Sequence, residues 1–482
     1  MTTTIELSGE YIILQEVLLL PSSLLTTPTA KGNQLNTIYQ QLQHWSDVFF
    51  MPADQPFRAD KMIQVHGQPE AAIATYGHTI TFLESVNAPL SFQHQVEPFY
   101  RRLVQLLLQN IDTLPDVQQQ QRLAQCCKVI ELLQIAELEH FFREPCQTHS
   151  ARPIDQLDPH AAVVYSIVLG HQLEVIIAFP NGQLHHHSTP LSPQVRQATF
   201  QTLRQSLNPA FPASRVLAPA QKIYDWLLRP AALEKHPLKR LIFVVDGYLR
   251  NIPMAVLHDG HQFLIERYSV ALTPSLQLFD SPGLTSQRVL VGGMSAARQG
   301  FRALPAVDVE INQIQTQAPT QVLFNQEFTK AKLAQKVLEQ HSAIVHLATH
   351  GQFSSKAEET FILTWNNRLN IHELATLLQQ REQKTPIEML ILSACQTAKG
   401  DERAALGMAG VAVYSGVRST VASLWSVDDC STAALMTEFY RQLNQVKQSR
   451  AEALQRAQLS LLNSRYSHPY YWAAFVLIGN WL

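Results

Sequence analysis

From residue 241 onward the chain repeats one pattern: a short, continuous apolar run, a turn, and then a longer amphipathic stretch. The runs are Leu241 to Asp246, Arg288 to Gly293, Val322 to Phe324, Ala343 to His350, Met389 to Cys395, Ser419 to Trp425 and Phe475 to Gly479. Runs this short and this uniformly apolar are what central strands need when both faces of a sheet are covered. Helical spacing marks the stretches between them, Val307 to Gln317, Lys330 to His341, Ile371 to Gln379, Ala404 to Tyr414, Ala433 to Leu443 and Arg450 to Leu462. Such alternation predicts an α/β fold, a mostly parallel sheet with helices on both faces.

The first part of the chain reads differently. Residues 31 to 145 carry helical periodicity, with Tyr76, Ile80 and Leu83 on one face and Tyr100, Leu103, Leu106 and Leu107 on another. No clear repeat of about 34 residues is present, so a full tetratricopeptide array is not supported. Around residues 151 to 160 the pattern changes, and Ala161 to Leu169 and Leu173 to Phe179 predict a pair of antiparallel strands. We therefore expect an α-helical amino-terminal region over residues 1–150 and an α/β domain over residues 151–482.

Composition narrows the function classes. With 46% hydrophobic and 16% charged residues the chain fits packed globular structure, and a net charge of -2 supplies no basic field for nucleic acid or an anionic membrane. The apolar run Tyr11 to Leu20 is interrupted by Gln15 and Glu16 and ended by Pro21, which supports neither a signal peptide nor a spanning helix and predicts a cytoplasmic location. Cys126, Cys127, Cys146, Cys395 and Cys430 have no metal-ligand spacing and are expected as free thiols.

Two apolar runs end in chemistry. One closes on His350 and Gly351, the other on Cys395, 45 residues later. That interval holds a helix and is long enough for a right-handed crossover between neighbouring parallel strands, which would bring the two strand ends together. A thiol activated by an imidazole is a nucleophile for acyl transfer, with Cys395 attacking and His350 acting as base and then as acid. Taken alone, a cysteine at a strand end is more often a small buried residue. Gly351 lets a substrate carbonyl approach the backbone, and the amides of Gly351 and Cys395 are expected to form the oxyanion hole, worth roughly 3 kcal/mol each; the bland alternative is that Gly351 only turns the chain.

More landmarks surround this pair. Asp246-Gly247 precedes Asn251-Ile252-Pro253 and Thr273-Pro274-Ser275. Further on come Leu406-Gly407-Met408-Ala409, Ser415-Gly416-Val417-Arg418, Ala422 to Asp429, and His468 to Phe475. In this order, over residues 152 to 482, they resemble the CHAT domain, a caspase-like cysteine peptidase family related to separases. The caspase signature around the cysteine is itself absent, since Ser393-Ala394-Cys395-Gln396-Thr397 stands in its place. What the resemblance implies is a regulated endopeptidase acting on a protein substrate, with helical regions as a sensor or docking surface for a regulatory protein, in a bacterial, often cyanobacterial, setting. No cofactor is needed for such chemistry. An interaction or scaffold module that keeps the fold without turnover is the competing reading, and a non-peptidase acyl transferase a third.

By the same resemblance, Trp425, Asp428 and Asp429 should wall the primary specificity pocket, where a buried carboxylate would favour Arg or Lys before the cut. Which acid points inward is open, and both could instead cap the following helix. Other motifs carry less. His346 and His350 have i, i+4 spacing but no H-E-x-x-H context, which argues against a zinc peptidase; His346 more naturally faces the core. His185-His186-His187 reads as a polar turn, and Leu290 to Met294 as a strand end with a tight turn, not a phosphate loop.

Overall fold

A computed structural model describes residues 96–142, 154–278, 287–339, 342–354, 357–382, 387–393, 395–397, 415–445 and 448–482. The expected boundary at 150, the predicted helical face of Tyr76, Ile80 and Leu83, the predicted helix Ala404 to Tyr414 and the Leu406 to Ala409 landmark lie outside the described residues.

An eleven-stranded sheet organises the molecule. In chain order its strands are β1 (Ala161–Leu169), β2 (Gln172–Ala178), β3 (Leu184–Pro190), β4 (Arg240–Val245), β5 (Ser269–Leu272), β6 (Val289–Gly293), β7 (Thr320–Phe324) and β8 (Ile344–Ala348). After β9 (Gly351–Phe353), β10 (Phe361–Leu363) and β11 (Arg368–Asn370), which belong to a second sheet, come β12 (Met389–Leu392), β13 (Cys395–Thr397), β14 (Ser419–Ser423) and β15 (Phe475–Gly479). The order across the large sheet is β3-β2-β1-β4-β5-β15-β14-β12-β8-β6-β7, and the small sheet runs β11-β10-β9-β13. Pairing is parallel except at β1–β2, β2–β3 and β14–β15 in the large sheet, and on both sides of β10 in the small one. The α/β expectation therefore holds, with an antiparallel margin built from the first three strands.

Among the described residues the helices of ten residues or more are α1 (Glu97–Leu108), α2 (Asp116–Phe142), α3 (Pro193–Ser206), α4 (Leu217–Leu227), α5 (Ala306–Gln317), α6 (Lys330–Glu339), α7 (Ile371–Glu382), α8 (Asp429–Leu443) and α9 (Arg450–Leu462). They cover both faces. A Cβ on Gly293 would lie 2.5 Å from Ile311 of α5, whereas one on Gly292 would lie 2.3 Å from the Phe328 ring. Neighbouring residues of a strand point to opposite faces, so α5 and Phe328 sit on opposite sides. This corrects the reading of Leu290 to Met294: both glycines lie within β6, not in a tight turn, and leave room for the two layers to close in. His185 to His187 needs a similar correction, because these residues form the middle of edge strand β3.

The described helices of the amino-terminal region pack into the same core as the sheet. Tyr100, Leu107, Leu133 and Phe142 belong to one buried cluster with Val164, Phe243 and Leu272; burying each such side chain contributes about 1.5–3 kcal/mol. Polar contacts fix the register. The Tyr165 hydroxyl donates to Glu131 Oε1 at 2.8 Å, and the Ser275 hydroxyl to Glu131 Oε2 at 2.5 Å. Arg250 Nη2 reaches Glu137 Oε2 at 2.5 Å. Asp246 and Ser275 of two sequence landmarks, with Arg250 just before a third, thus grip helices α1 and α2, and Trp472 of a further landmark is fully buried. No described helix is long and apolar enough to cross a membrane.

Candidate active site

Strands β8, β12 and β14 are neighbours, parallel and in register, with Leu347 beside Leu392 and Leu392 beside Ala422. All three are buried along their whole length, as their apolar sequences require. His350 follows β8 and Cys395 follows β12 at the same edge of the sheet, where parallel α/β folds display their functional groups. There the chain continues into the small sheet, and β13 pairs with β9 in parallel, Cys395 opposite Gly351. The backbone of the predicted nucleophile thus lies one strand spacing, about 4.8 Å, from the residue that follows the predicted base.

The His350 carbonyl accepts from the Leu363 amide at 2.8 Å, which anchors its backbone to β10. Gly351 sits opposite Ile362 in the same ladder. Those two facts make Gly351 and Ile362 a non-hydrogen-bonded pair and direct the Gly351 amide away from β10, toward the strand that carries Cys395.

The half-buried His350 ring lies against Phe301, with ring centroids 5.0 Å apart. Its Nε2 is 2.8 Å from the carbonyl oxygen of Arg302. A carbonyl can only accept, so the neutral imidazole carries its proton on Nε2 and leaves Nδ1 as the base. Burial lowers the imidazole pKa, the Arg302 carbonyl raises it, the Arg302 guanidinium lowers it and Asp429 raises it; the net result lies below the ordinary histidine value. The ring is accordingly neutral at pH 7, the form a general base needs.

A cleft of about 20 Å³ lies beside this ring, lined by Arg302, Glu310, Ser393, Ser426 and Asp429. The two acids that followed β14 part company here. Asp428 is the N-cap of α8, its Oδ1 accepting from the Ser431 amide at 2.9 Å. Asp429 faces the cleft, its Oδ2 accepting from the Ala306 amide at 2.7 Å. Burial raises the Asp429 carboxyl pKa, and Glu310 and Asp428 add to this against the Ala306 amide. Trp425 lines a different space, a groove of about 840 Å³, and Ser426 is a lining residue of both. Its indole Nε1 donates to the Tyr470 carbonyl at 3.1 Å, and the Tyr470 hydroxyl donates to the Ser426 carbonyl at 2.8 Å.

His346 is fully buried behind the site and bonds to Tyr440 through Nδ1 at 3.0 Å and to Glu310 through Nε2 at 2.8 Å. It faces the core, as its spacing suggested. Among the described residues no group of three His, Cys, Asp or Glu side chains is placed to hold a metal ion. Sequence reasoning passed over Arg302, Glu310 and Ser393. For Glu310 a signal existed, because it falls on the apolar stripe Val307, Ile311, Ile314 of α5, where a carboxylate is out of place. Arg302 enters through both its carbonyl and its charge, and no pattern in the sequence marked it.

The large, mostly parallel sheet with helices on both faces and paired His and Cys strand ends defines a caspase-like fold. The family model described as "CHAT domain" matches residues 217–480, more than half of the chain, and the chain belongs to that family. Human tetratricopeptide repeat protein 28 is 22% identical over 329 residues, an alignment that covers 54% of this chain and 13% of that protein, so the chain spans only a small part of its curated relative. Among solved structures, the separase-securin complex of Saccharomyces cerevisiae aligns at a TM-score of 0.54 and 10% identity, covering 86% of this chain and 37% of that one. The complex of Porphyromonas gingivalis RgpB pro- and mature domains aligns at 0.36 and 9%, covering 60% and 77%. Family and fold together point to the cysteine-peptidase-like superfamily.

Proposed function

We propose that this protein is a cysteine endopeptidase that hydrolyses peptide bonds of a protein substrate through Cys395 and His350. The observation that supports it most is the pairing of Cys395 with Gly351, which brings the two strand ends together at the His350 cleft. His350 Nδ1 takes the thiol proton as the thiolate attacks the substrate carbonyl. The negative oxygen so formed is held by the Cys395 amide, the Gly351 amide being directed into the ladder with β13; the C–N bond then breaks, and the imidazolium returns its proton to the leaving amine. Water, deprotonated by the same imidazole, then opens the thioester, releasing the carboxyl fragment and restoring the thiol.

Asp429, the acid that faces the cleft, supports a preference for Arg or Lys before the cut. Helices α1 and α2, gripped by Asp246, Arg250 and Ser275, are the route by which a regulatory protein bound to the helical region would act on the site. A reducing bacterial cytoplasm, of the kind the family resemblance implies, fits a mechanism that needs a free thiol.

A thiol-reactive peptide probe should label the wild-type protein, spare Cys395→Ala and largely spare His350→Ala. Equal labelling of all three would overturn the assignment. The substrate would follow from a map of new protein amino termini in cells carrying wild type against Cys395→Ala.

A further inference from the structure

One short segment, residues 363–365, holds His350 from two sides. The backbone is fixed directly: the Leu363 amide donates to the His350 carbonyl at 2.8 Å, and the Thr349 hydroxyl donates to the Leu363 carbonyl at 3.0 Å. The ring is reached by a longer route. The Arg302 carbonyl that accepts from Nε2 lies at the foot of a hairpin in which Arg298 and Phe301 exchange amide-to-carbonyl bonds of 3.2 and 2.8 Å. Gln299 and Gly300 form its tip, both left-handed with φ of 51° and 84°, as a tight two-residue turn requires. The hairpin is tied back to the same segment, since the Gln299 side-chain amide donates to the Thr364 carbonyl at 2.9 Å and the Arg298 guanidinium lies 3.7 Å from the centre of the Trp365 ring. Trp365 is itself anchored, its amide donating to the Phe328 carbonyl at 2.8 Å. Arg298 and Gln299 are exposed, so these ties act on the hairpin and not on the core.

We infer that Arg298 and Trp365 are positioning residues for His350, their contact holding the hairpin so that the Arg302 carbonyl keeps the imidazole proton on Nε2 and leaves Nδ1 free as the base. This inference rests on the peptidase reading and supplies what holds its base in place. An imidazole without a fixed partner exchanges tautomers and turns about its side-chain bonds, and it then offers the thiol an N–H as readily as a lone pair. A guanidinium over an indole suits such a tie, because tryptophan is the best aromatic partner for a cation and the pairing survives exposure to water.

The test reads the imidazole and the thiol separately in the full chain. Carbethoxylation of His350 by diethyl pyrocarbonate, followed by mass spectrometry of its peptide, should be about fivefold faster in R298Q and in W365L than in wild type, while the fully buried His346 stays protected. Labelling of Cys395 by a thiol-reactive peptide probe at saturation should slow about fivefold in both variants, with the half-saturating probe concentration unchanged. R298Q/W365L should be no slower than either single variant, because both remove one contact, and R298K and W365F should keep most of the wild-type rate. Unchanged His350 reactivity, losses that multiply in the double variant, or exposure of His346 together with His350 would overturn the inference. The two readings fail separately. Faster carbethoxylation in the variants of a protein whose labelling ignores His350→Ala keeps the tie and removes the peptidase; labelling that depends on His350 but is unmoved by R298Q and W365L does the reverse.

Discussion

Arg101 and Asp246, 145 residues apart, close a two-pronged ion pair, Nη1 to Oδ2 at 2.6 Å and Nη2 to Oδ1 at 2.8 Å. It joins α1 to the loop after β4, two residues of which, Ile252 and Pro253, line the groove beside Trp425. The first landmark of the family pattern therefore works as a brace between the helices and the wall of the site.

That brace has a measurable cost of removal. Arg101→Leu leaves Asp246 buried without its main partner and should lower stability by about 3 kcal/mol in urea unfolding, while Arg101→Leu with Asp246→Leu together should lose much less. Burial pushes the Asp246 carboxyl up, but the charge and hydrogen bonds of Arg101, with help from Arg250 and the Val168 amide, bring it below the usual carboxylate range. The contribution of the pair is then present above that range and disappears as pH falls through the depressed value. Wild type and Arg101→Leu should converge in stability in acid; a constant difference down to pH 2 would contradict the account.

The pH profile reports on His350. Its lowered pKa keeps the imidazole in the base form at acidities where an ordinary histidine would be protonated, so the acid limb of kcat/KM should have its midpoint below about 6.5. Asp429→Asn removes a neighbouring negative charge that favours the protonated ring, and the limb should move to still lower pH. An upward move would show that the two groups are not coupled as described.

Asp428 and Asp429 should separate in their effects. Loss of the helix cap in Asp428→Ala should cost about 1 kcal/mol in thermal or urea unfolding and leave the residue preferred before the cut unchanged. Asp429→Asn should instead relax a preference for Arg or Lys in a substrate library. Reversal of the two phenotypes would mean that Asp428 is the one reading substrate.

Gly292→Ala tests the packing that carries the His350 strand. The added methyl would meet the Phe328 ring at 2.3 Å, on a strand directly paired with β8. Overpacking of this kind costs about 1–3 kcal/mol. Phe328→Leu in the same molecule should recover part of the loss, and no recovery would place the strain elsewhere.

Much of this was legible in the sequence for a simple reason. Strands β8, β12 and β14 are buried on both faces, and continuous runs such as Met389 to Leu392 admit few other conformations. Helix α9 was legible to its end residues because Ser449 and Glu452 form a capping box in front of it. By contrast β9, β10, β11 and β13 have three residues each, too few for an alternation to show. Edge strand β3 was read as a turn because its polar residues, His185 to Ser188 among them, make contacts that composition does not display: His186 bonds to Glu174 at 2.9 Å, and His187 to the Trp226 carbonyl at 3.2 Å. The parting of Asp428 and Asp429 depends on side-chain direction alone, and both residues satisfy the same pattern.

Strand β3 also closes one margin of the large sheet, where no further strand joins it among the described residues. An open margin with apolar side chains invites the same margin of another molecule, yet this one offers histidines, a serine and a threonine, and finishes at Pro190, which has no amide hydrogen to share. Stacking two such rims would strip water from imidazoles and hydroxyls for little apolar gain. An eleven-stranded platform can in this way remain a discrete particle at high concentration and not seed fibrous assembly.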